Sequence, residues 1–361
     1  MIFLVISLVL STVLVSVTIP LARRFGLVTD VSTRKHPAHT HSGIIPRAGG
    51  APIYLAILIT CLIALPMTKI LFYILLAGAL LVIVGLLDDK YDISPYIRFG
   101  MNMIIAGIAI AGGIGIPYIS NPFGGQILLT QPQIVINFFG PHVIWIIADA
   151  IAIVWLVSMM NIVNWSKGID GQLPGYVAIA CIFLALITKR YSPYDIDAGH
   201  TKILAQIVAG AFLGFWPWNF YPQRIMPGYG GGTLAGFMLG ILTILTFGKV
   251  GTLLLVLSIP ILDGFYTILR RIQSRGNPFR GDANHLHHLL LRRGWDKRLI
   301  VLLYVVITTI CGIFSLLIPN GIEKLFVIIV VYAVLFGWIY WLSKEDKINT
   351  INESNDKQKQ S

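Results

Sequence analysis

Charge is what this chain lacks. Of its 361 residues only 12% are Asp, Glu, Lys or Arg, against roughly 25% in soluble globular domains, which excludes an ordinary water-soluble fold. Cysteine is scarce as well. Cys61, Cys181 and Cys311 all sit in apolar runs, with no metal-ligand spacing and no pairing pattern, so they read as small packing residues. There is no internal repeat and no series of charges midway along the apolar segments, which weighs against a secondary transporter with a midplane site. The first apolar segment has neither a basic leader nor a small-residue cleavage site, and is expected to be a retained helix. Acids are outnumbered, 16 against 27 Lys and Arg, for a net charge of +11 in a chain that is 56% hydrophobic. That surplus fits basic loops beside anionic lipid better than a nucleic-acid surface, so no nucleic-acid partner is expected.

What the chain does have is a succession of apolar runs of about 20 residues, the length that crosses a bilayer. They predict an all-α polytopic membrane protein of about eleven transmembrane helices, near 1–22, 49–66, 70–87, 98–117, 143–160, 172–188, 203–218, 233–247, 250–270, 299–318 and 323–342. A tight turn at Phe247-Gly248-Lys249 joins the eighth and ninth. Residues 1–343 read as one transmembrane domain, and 344–361 as a polar, disordered cytoplasmic tail. Twenty-one of the 27 Lys and Arg fall on alternate loops and the tail; Lys69, Lys189, Arg190, Lys202, Lys249 and Lys324 fall on the other side. The asymmetry predicts an outside N-terminus and cytoplasmic basic loops. The Pro-rich loop 118–142 fits a short hairpin or an interfacial segment.

The chemistry-bearing residues gather on the basic side. Asn161-Ile-Val-Asn164-Trp-Ser-Lys167-Gly168-Ile-Asp170-Gly171 abruptly ends an apolar run. Asn164, Lys167 and Asp170 recur every third residue, which puts them on one side of a helical or turn-like continuation. A solvated cap is the plain reading; similar clusters on the same face favour a site. Loop 23–48 carries Arg34-Lys35-His36 and Ile45-Pro46-Arg47-Ala48-Gly49-Gly50, which suits a phosphate at a helix entrance and equally a positive-inside loop. Gly85-Leu-Leu-Asp88-Asp89-Lys90-Tyr91-Asp92 is sharper. Three carboxylates at a membrane edge repel one another and need a cation or a raised pKa. With Mg²⁺ they would bind a diphosphate, and one would act as base or nucleophile. Asp88 and Asp89 point to different sides of a helix, so one is expected to reach substrate. Loop 270–298 holds Arg270, Arg271, Arg275 and Asp282-Ala283-Asn284-His285-Leu286-His287-His288. Histidines at i, i+2 and i+3 miss the helical zinc spacing and offer imidazoles to a phosphate, a metal or an acid–base step. Asp149 alone lies deeper in an apolar segment, as a functional acid or a contact to a neighbouring helix or water.

Taken in order, these motifs resemble the polyprenyl-phosphate N-acetylhexosamine-1-phosphate transferases. That family includes undecaprenyl-phosphate GlcNAc-1-phosphate transferases and the phospho-MurNAc-pentapeptide translocase. The residues that carry the resemblance are Arg34-Lys35-His36, Ile45 to Gly50, Asp88-Asp89-x-x-Asp92, Ser94-Pro95 with Arg98, Asn161-x-x-Asn164, Gly168-x-Asp170-Gly171, Pro260-x-x-Asp263 and His285-x-His287-His288. Each is weak alone; the ordered set, from Asp30 to about Gly294, is specific. The resemblance implies transfer of a HexNAc-1-phosphate from a UDP-sugar to a polyprenyl phosphate, releasing UMP, in cell-wall or surface-glycan assembly at the plasma membrane, with the site facing the cytoplasm. It implies catalytic roles for Asp88, Asp89, Asp92, His285, His287 and His288, with Asp88 or Asp89 activating the lipid phosphate. It implies substrate contacts at Lys35, Arg47, Asn161, Asn164, Lys167, Asp170, Tyr229, Gly231 and Asp263, and Mg²⁺ or Mn²⁺ at Asp88, Asp89 and Asn164. A homodimer is left open.

Three positions depart from the family pattern. Lys167 and Tyr229 stand where it has aspartates, the second within Pro227-Gly228-Tyr229-Gly230-Gly231-Gly232, and Ala283 stands where it has arginine. Protonated lysine has no lone pair for Mg²⁺. The site then either runs the reaction with Lys167 supplying part of the metal's charge, takes a different nucleotide-sugar, or binds a lipid phosphate or nucleotide-sugar without turnover.

Overall fold

Hydrocarbon offers the backbone no hydrogen-bond partners, so a spanning segment must pair its own amides, as a helix does. In the computed structural model, which describes residues 1–30, 43–121, 123–137, 141–191, 196–246, 250–273, 284–318 and 321–360, every apolar segment carries a helix. The chain opens with α1 (Ile2–Arg24), the strands β1 (Val28–Asp30) and β2 (Ile44–Pro46), α2 (Gly50–Ala64), α3 (Lys69–Tyr91) and α4 (Pro95–Ala111). Strands β3 (Tyr118–Ser120), β4 (Gln126–Leu128), β5 (Gln133–Asn137) and β6 (Pro141–Trp145) follow. Then come α5 (Ile146–Trp165), α6 (Gln172–Tyr191), α7 (Ile196–Asn219) and α8 (Gly228–Leu245). The chain ends with α9 (Val250–Val256), α10 (Ser258–Gln273), α11 (Leu286–Arg292), α12 (Lys297–Leu317) and α13 (Ile322–Gln360). The strands form three antiparallel pairs, β1–β2, β3–β4 and β5–β6, so the region expected to hold a short hairpin or an interfacial segment holds two hairpins. The expected turn at Phe247-Gly248-Lys249 lies outside the described residues.

Lipid is as apolar as leucine, so helices in a bilayer associate through close backbone approach rather than a hydrophobic drive. Helix α8 is the hub, buried at every residue from Gly228 to Ile244. Its small residues set the spacing. A Cβ at Gly85 of α3 would run into the Gly230 backbone, one at Gly50 of α2 would lie 2.6 Å from Gly231 N, and one at Gly236 would strike the Met159 backbone of α5. Helices α1 and α7 meet the same way. Ser7 and Ser11 donate to the Ile207 and Ala211 carbonyls (2.8 and 2.7 Å), while Gly210 and Gly214 lie against Leu4 and Leu8. The far side of α1 exposes Val5, Val9, Val13, Val17 and Leu21, a lipid-facing stripe.

Two departures from the sequence expectation have clear causes. The ninth segment, expected as one helix, is α9 and α10 with an 85° bend between them. Pro260 lacks an amide and its ring clashes with the carbonyl four residues back, that of Val256, where α9 ends. Helix α13 runs to Gln360, through the polar stretch read from composition as disordered; there helix propagates from an apolar segment already nucleated. Among the described residues six helices are long and apolar enough to cross a membrane, or seven if the bent pair is one span, and α2, α4 and Gln172–Thr188 are shorter apolar helices. The molecule is a multi-pass helical membrane protein.

The α3–α8 contact makes a direct prediction. Gly85→Val forces the two backbones apart and costs roughly 1–3 kcal/mol or more by overpacking. A lower unfolding temperature in detergent is expected; an unchanged one would sink this packing.

Candidate active site

Helix α3 ends at the carboxylates. Asp88 and Asp89 are both buried, 0% and 2% exposed, and one helical step sends them to different partners. Asp88 uses both oxygens, Oδ2 accepting from Arg98 (3.2 Å) and Oδ1 from the Ile93 amide (3.1 Å). Asp89 Oδ1 forms an ion pair with Arg47 Nε (2.9 Å) and accepts from the Tyr229 amide at the start of α8 (3.0 Å). Its Oδ2 lies against Gly228 and has no hydrogen bond among the described residues. Asp92 is exposed at the left-handed C-cap of α3 and has no side-chain bond to this cluster. A residue three on from Asp89 has been turned outward by the cap.

The loop after α5 completes the cluster. Lys167 Nζ donates to Asn164 Oδ1 (2.6 Å) and to the Gly228 carbonyl (2.7 Å). Burial and the Arg47 guanidinium push the Lys167 ammonium down to about 7, against the pull of Asp89 and Asp88. Tyr229 organises the cations: Arg98 and Lys167 both lie over its ring, 5.0 and 5.8 Å from the centroid, and its hydroxyl contacts Asn102 Oδ1 (3.3 Å). Asn161 instead donates to the Val157 carbonyl of its own helix (2.8 Å). Gly231 packs against Gly50 and Pro227, a helix contact rather than a ligand cradle.

The histidines form a second cluster. Asp263 on α10 takes His285 Nδ1 on Oδ2 (2.8 Å) and the Leu286 amide on Oδ1 (2.7 Å). With both oxygens engaged, Asp263 positions the histidine turn and acts on substrate only through it. His287 is stacked on His285, centroids 5.7 Å apart. Burial, then His288 and His285, hold its pKa well below the ordinary histidine value, so the imidazole is neutral, and its Nδ1 has no partner among the described residues. Gly168 joins the two clusters, since a Cβ there would collide with the His287 ring. Asp170, 4% exposed, faces Lys297 of α12 at 3.5 Å. Burial raises its pKa and Lys297 opposes the shift.

The structure therefore unites Arg47, Asp88, Asp89, Asn164, Lys167 and Tyr229, and sets Gly168 and the histidines beside them. Lys35, Asp282 and Ala283 lie outside the described residues. Arg98 and Lys297 were missing from the expected site. Arg98 opens a helix ten residues beyond the acid pair, a legible signal; Lys297 lies 127 residues from its partner and gives none.

The donor set does not suit a divalent ion. Mg²⁺ wants several oxygens in near-octahedral array. Here Asn164 Oδ1 holds the lysine, Asp88 is fully engaged, and Asp89 Oδ1 is shared by Arg47 and Tyr229. Among the described residues no group of three His, Cys, Asp or Glu side chains is placed to hold a metal ion.

Buried carboxylates, three cations and neutral imidazole at one end of a helical membrane bundle define a membrane protein with a site built for anions. The model of glycosyl transferase family 4 matches residues 71–247, a span that holds Asp88, Asp89, Arg98, Lys167 and Tyr229. It is similar to a probable undecaprenyl-phosphate N-acetylglucosaminyl 1-phosphate transferase of Bacillus subtilis (strain 168), 28% identical over 349 residues, covering 93% of this chain and 90% of that one. It is also similar to an undecaprenyl-phosphate alpha-N-acetylglucosaminyl 1-phosphate transferase of Haemophilus influenzae, 29% identical over 313 residues, 82% and 81% covered. A decaprenyl-phosphate N-acetylglucosaminephosphotransferase of Mycobacterium leprae is 28% identical over 290 residues, 72% and 69% covered.

The Asp263 latch can be tested by Asp263→Ala, which orphans a buried amide and an imidazole at roughly 1–3 kcal/mol each. A lower unfolding temperature should accompany slower turnover. Full activity in a destabilised protein would show that the histidine turn is not held by this carboxylate.

Proposed function

We propose that this chain transfers GlcNAc-1-phosphate from a UDP-sugar to a polyprenyl phosphate, releasing UMP. The lipid phosphate oxygen attacks the sugar-linked phosphorus; the bond to the UMP oxygen breaks, and UMP leaves with that electron pair. The observation that carries this reading is the interlocked cluster of Asp89, Arg47, Arg98 and Lys167, touched through Gly168 by the histidine turn. The named activities of its relatives support it. Bringing two anions together is chiefly a matter of positioning and of positive charge placed beforehand.

Roles follow from these bonds. Asp88, with both oxygens occupied, fixes Arg98. Asp89 keeps Oδ2 for the incoming lipid phosphate and is the candidate base. Lys167, Arg47 and Arg98 supply positive charge to the phosphates. Asp170 with Lys297 borders the nucleotide side, and neutral His287, packed against Gly168, keeps Nδ1 for a hydrogen bond to a phosphate or sugar. The basic loops support an outside N-terminus, eleven spans and a cytoplasmic site in the plasma membrane.

Purified protein given undecaprenyl phosphate and UDP-GlcNAc should release UMP. Asp89→Asn should cut the rate by roughly 10²-fold or more, and Asp92→Asn far less, since Asp92 lies exposed outside the cluster. Absence of UMP release with every UDP-HexNAc offered would refute the transferase reading.

A further inference from the structure

Phosphoryl transfer between two anions needs a cation where negative charge accumulates. The described cluster contains that cation as part of the chain. Two carboxylates, Asp88 and Asp89, face three cations, Arg47, Arg98 and Lys167. Each carboxylate has an arginine, Arg98 on Asp88 and Arg47 on Asp89. The third cation bonds only neutral oxygens among the described residues, Asn164 Oδ1 and the Gly228 carbonyl. With Lys167 protonated, the cluster carries a surplus of one positive charge before any substrate arrives, and that surplus sits on Lys167.

Those two oxygens are the kind a divalent ion would need. With an ammonium 2.6 and 2.7 Å from them, no room remains for a cation that itself requires oxygens at about 2.0–2.6 Å, and the like charges repel. The rest of the local structure keeps the ammonium there. Gly228 holds a positive φ of 70° and gives its carbonyl to Lys167. Tyr229 lays its ring beneath both Lys167 and Arg98, and a ring face attracts each of two cations that otherwise repel one another.

We propose that the Lys167 ammonium, seated on Asn164 and Gly228 beside Asp89, is the fixed counter-cation of the reacting phosphates and takes the place of a bound divalent ion. This rests on the transferase reading, and the test separates the two. Metal-stripped protein is first titrated with Mn²⁺ without substrate, following free Mn²⁺ by electron paramagnetic resonance. UMP release is then measured in excess EDTA and in Mg²⁺. The wild type should show no saturable Mn²⁺ site that Asp89→Asn removes, and its rate in EDTA should stay within about threefold of that in Mg²⁺. Lys167→Asp, which adds a carboxylate beside Asn164 and deletes the competing charge, should gain a Mn²⁺ site and lose turnover in EDTA. An Asp89-dependent Mn²⁺ site in the wild type overturns the proposal. So does a loss of more than about tenfold in EDTA that Mg²⁺ restores. Should no UMP appear under any condition, the transferase reading fails, and the Mn²⁺ titration of the wild type still decides this one.

Discussion

The site depends on a carboxylate capping a helix. The first amides of α8 have no partners inside their own helix, and the helix end carries partial positive charge. Asp89 accepts from the Tyr229 amide and so ties the end of α3 to the start of α8. That bond forms only because Gly85 and Gly230 let the two backbones touch. The segment before α2 is drawn to the same place, Pro46 accepting from the Met226 amide (2.8 Å) and Gly49 donating to the Met226 carbonyl (3.0 Å). Arg47, between them, then reaches the oxygen of Asp89 that Tyr229 uses. Glycine packing inside the bilayer and charge placement at its edge are one constraint.

From that joint the loop after α5 works as a bridge. Lys167 reaches the Gly228 carbonyl, Gly168 abuts His287, and Asp170 reaches Lys297 on α12. Three such long-range contacts within four residues explain why the stretch breaks the apolar pattern so sharply. The histidine turn is held at one remove, by Asp263 on the helix that Pro260 bends away from α9. The bend and the latch belong together: a straight ninth helix would carry Asp263 along a different line.

Much of this was legible in the residues themselves. Little charge and apolar runs of about 20 residues mark a helical membrane protein, and Asp88, Asp89, Asn164, Lys167 and the histidines all fall where apolar runs end. What escaped reading depends on non-local geometry. Pro260 was visible, but hydropathy does not report a bend until the proline is set against the carbonyl of Val256. Asp92 is adjacent in sequence and excluded in space, because one residue in the left-handed region reverses its direction. The glycines at 230–232 suit a phosphate cradle and a helix contact equally well on paper. The backbones of α2 and α3 and Asn164 lying against them decide for the contact. Lys297 could not be paired with Asp170 without knowing that α12 starts beside that loop.

The division between arginine and lysine in the cluster has a physical logic. Arginine keeps its charge in nearly any setting and binds carboxylates with a rigid fork, whereas lysine is a compact charge on a flexible stem. Here the arginines hold the two acids, in charge-assisted bonds about twice as strong as neutral ones. The lysine is left with an amide oxygen and a backbone carbonyl, partners that a phosphate can outcompete. The fixed ion pairs therefore keep the cluster's shape, and the one cation without an acid of its own is the one an incoming anion can engage. A site whose carboxylates had no arginines would need that charge from solution; this one carries it in the chain.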